Sequence, residues 1–128
     1  MKHPEFELQK LVCNYIRIAY PSVLFDSDTI ANVKLTAPQQ ARNKAIQKED
    51  FKRPDICIYY PTEKYFGLFI ELKVESPYKK DGKLKSGEHL QGQAHTMSHL
   101  TALGYYCSFA WTFEMAKEII DNYLQEKL

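Results

Sequence analysis

The run Phe66-Gly67-Leu68-Phe69-Ile70-Glu71-Leu72-Lys73-Val74 constrains this chain more than any other stretch. It has strand length, but its opening residues lack the polar alternation of a sheet that faces water on one side. Such a strand needs cover on both faces, which puts it inside a sheet between helices. The rest of the chain can supply them. Leu8, Leu11, Val12, Tyr15, Ile16 and Ala19 recur at the spacing of one helix face and predict a helix over residues 5 to 20, ended by Pro21. A second helix is predicted from Glu88 to Leu103, with Gly104 where a left-handed residue closes a helix. Thr112 can cap a third, whose apolar face is Ala116, Ile119, Ile120 and Tyr123.

The remaining segments complete the pattern. Val23-Leu24-Phe25 is a short apolar run that Asp26-Ser27-Asp28 breaks. From Thr29 to Lys52 the sequence is polar and basic, and reads as a long loop with room for one short helix after Pro38. Ile56 to Tyr60 is a β-rich run closed by Pro61, and Thr62-Glu63-Lys64 a turn before the central strand. Lys79 to Gly87 is a basic loop, and Tyr105 to Trp111 a further strand. The predicted order is helix, short strand, loop, strand, strand, helix, strand, helix. That is an α/β domain with a mixed central sheet flanked by helices. At 128 residues, 45% hydrophobic and 26% charged, it is expected to form one globular domain over 1–128.

Several function classes drop out. Lys and Arg total 17 against 16 Asp and Glu, so the net charge of +1 gives no global pull toward nucleic acid or membrane. A polyanion would have to be held by a local patch. No apolar stretch reaches the roughly 18–20 residues of a membrane span, and Met1 to Glu5 do not lead into a secretion signal, so a cytoplasmic protein is expected. Cys13, Cys57 and Cys107 are odd in number and set in apolar runs, which suits buried thiols rather than a disulfide frame or a cysteine zinc site. His95 and His99 have zinc-ligand spacing, but they lie about 140–180° from their helix's apolar face and lack a third ligand, so they read as surface residues. Phosphate-loop, dinucleotide and serine-elbow motifs are absent from the sequence.

The chemistry concentrates in Glu71-Leu72-Lys73. Side chains alternate along a strand, so Glu71 and Lys73 emerge on one face about 6–7 Å apart, while Ile70, Leu72 and Val74 are expected to pack in the core. Taken alone, Glu-x-Lys is common where a strand runs into solvent. Asp55 makes it more specific. It follows Pro54 and opens the preceding strand, and consecutive strands usually pair, so it can lie beside Glu71. Two carboxylates about 4 Å apart at an effective dielectric near 20 repel by about 4 kcal/mol. Such a pair takes up a proton or binds a cation. With oxygen as the only donor, Mg²⁺ or Mn²⁺ is the expected ion. Lys73 would then orient an attacking water or offset transition-state charge.

Pro54-Asp55 followed by Glu71-x-Lys73 resembles the PD-(D/E)XK nuclease signature. The surrounding text is similar to one branch of that superfamily, the VRR-NUC domain. The similar segments are Arg53-Pro54-Asp55-Ile56, Tyr65 through Lys73, Gly82-Lys83-Leu84, Gln93 with its helix to Leu103-Gly104-Tyr105, and the closing helix from Ala116 to Leu124. The resemblance implies a restriction-endonuclease-like αβββαβ core and metal-dependent hydrolysis of phosphodiester bonds. It also implies four acting positions: a first-helix glutamate, Asp55, the Glu71–Lys73 pair, and a glutamine on the following helix. Asp55, Glu71 and the backbone carbonyl of Leu72 would hold the ion, and Glu5 would complete or indirectly support that shell. DNA is favoured over RNA as the partner, in branched forms such as four-way junctions or flaps, acted on by a homodimer.

Helical geometry chooses among candidates. Glu5 lies about 50° from the first helix's apolar centre and Glu7 about 110°, so Glu5 is preferred, with Glu7 the alternative. Glu5-x-x-Leu8-Gln9 also matches the family spacing. Gln93 lies about 50° from its helix's apolar centre and Gln91 about 110°, so Gln93 is the glutamine placed to reach the ion, a water or Lys73. Arg42, Lys44, Lys52, Arg53, Lys79, Lys80, Lys83 and Lys85 are candidates for phosphate contacts. One departure stands out. Phe51-Lys52-Arg53 precede Pro54-Asp55, where the family has small, glycine-rich residues. Two other readings stay open: a nuclease-fold module that binds nucleic acid without cutting it, and a partner subunit in which Glu-Leu-Lys is incidental.

Overall fold

A computed structural model describes residues 3–28 and 34–128. Positions 29–33 of the expected long loop, and Met1-Lys2, lie outside the described residues. The elements are α1 (Pro4–Ala19), β1 (Phe25–Ser27), α2 (Ala37–Ile46), β2 (Ile56–Ile58), β3 (Leu68–Leu72), α3 (Glu88–Ala102), β4 (Tyr106–Ala110) and α4 (Phe113–Leu124). The sheet order is β1-β2-β3-β4, with the first two pairings antiparallel and β3–β4 parallel. The parallel pair is joined through α3, as a parallel connection requires. This is the expected mixed α/β sheet, with α2 inserted and α4 appended to an α1-β1-β2-β3-α3-β4 series.

The two sheet faces differ. Leu68, Ile70 and Leu72 of β3, with Ile56 and Ile58 of β2, are fully buried against Val12 and Ile16 of α1 and Ala116, Ile120 and Tyr123 of α4. The alternate residues Phe69 and Glu71 turn to the opposite face, where α3 contributes Gln93, Thr96 and Met97 as buried residues. One face is therefore an apolar core, and the other carries buried polar groups.

Local signals explain most boundaries. Pro4 sits in the first turn of α1, where its missing N–H costs nothing, and Glu5 and Glu7 favour the positive end of the helix. Thr36 and Gln39 form a reciprocal cap on α2, and the Thr112 side chain accepts from the Met115 N–H to start α4. Gly104 has φ +107, and a Cβ there would meet the Phe66 ring at 2.7 Å, so no other residue fits.

Three expectations need correction. The first edge strand is Phe25–Ser27 rather than Val23–Phe25, because an edge strand can hold Asp26 facing water, bonded to Tyr59 and Arg53. The long loop contains a helix where room for a short one was expected, but it runs for ten residues and starts at Ala37 rather than after Pro38. α2 buries no residue, so it carries no apolar stripe to read, and its capping box is the signal that was legible. Val74 is 54% exposed rather than core, because β3 ends at Leu72. Cys13 and Cys57 are buried and Cys107 half-buried, all as free thiols. Among the described residues no helix is long and apolar enough to cross a membrane.

Candidate active site

The β2–β3 register pairs Ile56 with Ile70, which sets Asp55 opposite Glu71 at the end of the sheet. Both acids are buried, at 7% and 3% exposure. Asp55 follows the fully buried Pro54, so its backbone is held as it enters the strand. Its Oδ2 accepts a 2.7 Å hydrogen bond from the Leu72 N–H, which locks the carboxylate to β3 and fixes the Leu72 peptide. Lys73 follows at once, and its own N–H donates to Ala110 O, so the ladder continues one residue beyond the strand.

Gln93 closes the cluster from α3. Its Nε2 donates to Glu71 Oε1 at 2.7 Å, and its Oε1 accepts from Lys73 Nζ at 2.5 Å. The lysine can only donate, so the amide has one permitted orientation. Sequence spacing had placed Gln93 within reach of Lys73, and the structure brings them together.

The electrostatics set this cluster apart. Burial pushes the Glu71 carboxyl far above its ordinary value, and the neighbouring Asp55 charge and hydrogen bond push it further; Lys73 only partly offsets this. Burial also raises Asp55, while the Leu72 N–H, Glu71 and Lys73 pull it back. Both carboxyls are therefore pushed toward the protonated form, Glu71 more than Asp55. Glu5 is the helix-1 acid that interacts with Asp55 and Lys73. Its carboxyl is raised by partial desolvation and by Asp55, and lowered by Lys73 and His89. Glu5 itself is exposed and stands at the mouth of the cluster.

Three residues join the site that sequence reading had not assigned to it. Gln9 is 6% exposed, and its Nε2 donates to Asp28 O at 3.0 Å. The Asp28 N–H in turn donates to Asp55 O at 2.9 Å, and the Asp28 charge acts on Asp55. Gln9, Val12, Cys13 and Ile16 share the buried face of α1, a spacing that could have marked the amide as buried. His89 Nε2 lies 3.1 Å from Gln93 Nε2, and its spacing of four from Gln93 was the available signal.

The basic candidates are dispersed. Arg42 and Lys44 are exposed on α2. Arg53 is paired with Asp26 at 2.7 Å, and Lys52 is exposed beside α3. Lys79, Lys80 and Lys83 are exposed on the turn between the bridged Tyr78 and Leu84, and Lys85 lies 3.8 Å from Glu75. His95 and His99 are exposed, as expected. Among the described residues no group of three His, Cys, Asp or Glu side chains is gathered for a metal. The acceptor-rich part is the Asp55–Glu71 pair. Two adjacent buried carboxyls are a donor set suited to a hard dication, which keeps several waters and needs only one or two carboxylates.

No protein-family model matches this chain. No curated protein matches it either. One solved structure, described as a VRR_NUC domain protein, matches over 94% of this chain and 88% of that chain, with a TM-score of 0.61 and 18% sequence identity. The fold is that of a VRR_NUC domain protein. This likeness covers the four-stranded mixed sheet and its flanking helices, and so accounts for the restriction-endonuclease-like core expected from the Pro-Asp and Glu-x-Lys motifs.

Proposed function

We propose that this protein is a divalent-metal-dependent nuclease that hydrolyses phosphodiester bonds, with branched or structured DNA as its substrate. The observation that carries this reading is the buried Asp55–Glu71 carboxyl pair with Lys73 held beside it by Gln93. A bound Mg²⁺ or Mn²⁺ would supply charge stabilisation at the phosphate and lower the pKa of water. Asp55 and Glu71 would hold it, the Leu72 carbonyl would add an oxygen, and Glu5 would support the shell from the mouth. Holding the ion would require both carboxyls in their ionised form, against the upward push that burial gives them.

The protein's own groups then have distinct tasks. The Lys73 ammonium positions the attacking water and offsets negative charge gathering on the phosphate. Gln93 holds Lys73 through its oxygen and Glu71 through its N–H, so the cation and the acid keep a constant separation. Asp55 is anchored on a backbone N–H, which pre-places its carboxylate before substrate arrives. Hydrolysis forms a bond from water oxygen to phosphorus and breaks a phosphorus–ester oxygen bond; the attacking water gives up a proton to solvent and the departing oxygen takes one from it. DNA as the substrate, and a homodimer spanning a junction, follow from the VRR-NUC resemblance.

The test is purified protein with Mn²⁺ on a panel of four-way junction, flap, nicked and single-stranded DNA. Wild type should cut at least one, and Asp55→Asn or Glu71→Gln should lower the rate by at least about 10³-fold, as loss of a transition-state electrostatic group does. Full cleavage by either variant defeats the assignment. Binding without cleavage on every substrate would instead favour the non-cutting module.

A further inference from the structure

A groove of about 780 Å³ runs along the first turns of α3, with Lys52, His89, Gly92 and His95 in its wall. Lys52 is seated there. Its N–H donates to Oγ1 of the buried Thr96 at 3.0 Å, and its aliphatic stem lies on Gly92. A Cβ on residue 92 would come within 3.3 Å of Lys52 Cε and 3.5 Å of Cγ. Glycine inside a helix costs stability, and here it allows the lysine to approach the helix closely. Lys52 belongs to the Phe51-Lys52-Arg53 segment that departs from the resembled family's small residues.

His89 joins the groove to the cluster. The Lys73 ammonium fixes the Gln93 amide with its nitrogen toward Glu71 and His89. His89 is exposed beside the groove, and its other ring nitrogen can meet a phosphate oxygen. Asp50 and Glu88 also line the groove, so it has no long-range attraction for a polyanion, and retention depends on a placed cation.

We propose that this groove seats the backbone phosphate adjoining the one that is cut, with Lys52 as its cation and His89 as a second donor. The proposal rests on the nuclease reading, and the test separates the two. Binding of a fluorescein-labelled four-way DNA junction, and of a matched duplex, is followed by anisotropy in Ca²⁺ across a salt series. Lys52→Gln should weaken binding about 3- to 10-fold and reduce the slope of log K against log salt by roughly 0.7–0.9, the loss of one phosphate contact. Gly92→Leu, which fills the lysine's seat with a good helix former, should weaken binding to the same degree without lowering Tm. Lys10→Gln on α1 removes an equal charge elsewhere and should leave the slope unchanged. In cleavage assays the Lys52→Gln loss should appear as a KM raised by a similar factor. If wild type binds and cuts while Lys52→Gln and Gly92→Leu match it throughout, the seat is overturned and the nuclease stands. If wild type binds no DNA, both readings fall.

Discussion

Two carboxylate clusters in this protein use the same chemistry to opposite ends. At the seam between α1 and α4, Asp121 accepts hydrogen bonds from the hydroxyls of Tyr15 and Tyr20 and from Lys117. Burial alone would raise its carboxyl, but these donors outweigh burial and hold it below the ordinary value. At the end of β2 and β3, Asp55 and Glu71 face each other with fewer donors than acceptors, and both are pushed up, Glu71 far more. A cluster with donors to spare is complete within the protein and ties two helices together. A cluster short of positive charge is complete only with a proton or a cation. That imbalance, rather than the presence of acids, is what separates the two clusters.

The comparison can be broken at either end. Mg²⁺ or Mn²⁺ at a hundredfold excess over Kd should stabilise wild type by about 2.7 kcal/mol, read as a rise in Tm that chelator reverses. Glu71→Gln should abolish that rise while leaving the Asp121 seam intact. If the ion stabilises both proteins equally, it binds elsewhere.

A smaller effect should come from the other cluster. Asp121→Ala leaves two tyrosine hydroxyls and Lys117 without their acceptor and should cost about 2 kcal/mol, since hydrogen bonds to charged groups are worth about 1.5–3 kcal/mol each and these hydroxyls can turn partly to water. Asp55→Asn in chelator should cost nothing or raise Tm, because burial disfavours the Asp55 charge and an amide oxygen can still accept from the Leu72 N–H. Equal losses in urea melts of both variants would erase the distinction.

The smallest effect is a pair of opposite pH slopes, each at most about 1.4 kcal/mol per pH unit per group. Glu71 is raised from 4.5, so the folded chain holds more protons than the unfolded one above that pH. In chelator its contribution is fully present below 4.5 and is lost as pH rises. Asp121 is lowered from 3.8, so its contribution is present above 3.8 and is lost as pH falls through the depressed value. Melting curves of Glu71→Gln should lose the first slope and keep the second.

How much was legible follows from what each residue's role depends on. The apolar run of β3 announced a central strand because burial on both faces leaves no polar alternation, and it is an interior strand of the sheet. Gln93 was legible as a helix-border amide, since a regular helix converts spacing into direction. α2 was harder to read because it buries nothing, and β1 because an edge strand tolerates exposed Asp26. Gln9 and His89 were missed because each acts through a partner distant in sequence or through another side chain: Gln9 on Asp28, His89 on Gln93.

The sequence by itself determined the class of fold and which residue types were available for chemistry. Hydrophobic period, proline and glycine stops and helix caps are local, and the strand-end position of Glu71-Leu72-Lys73 follows from alternation alone. Only the tertiary structure decided that Asp55 stands opposite Glu71, that Gln93 bridges Glu71 to Lys73, and that Lys52 rests on Gly92. Those contacts depend on strand register and on how α3 seats over the sheet. They are set by packing between segments far apart in the chain, where no short-range pattern carries the information.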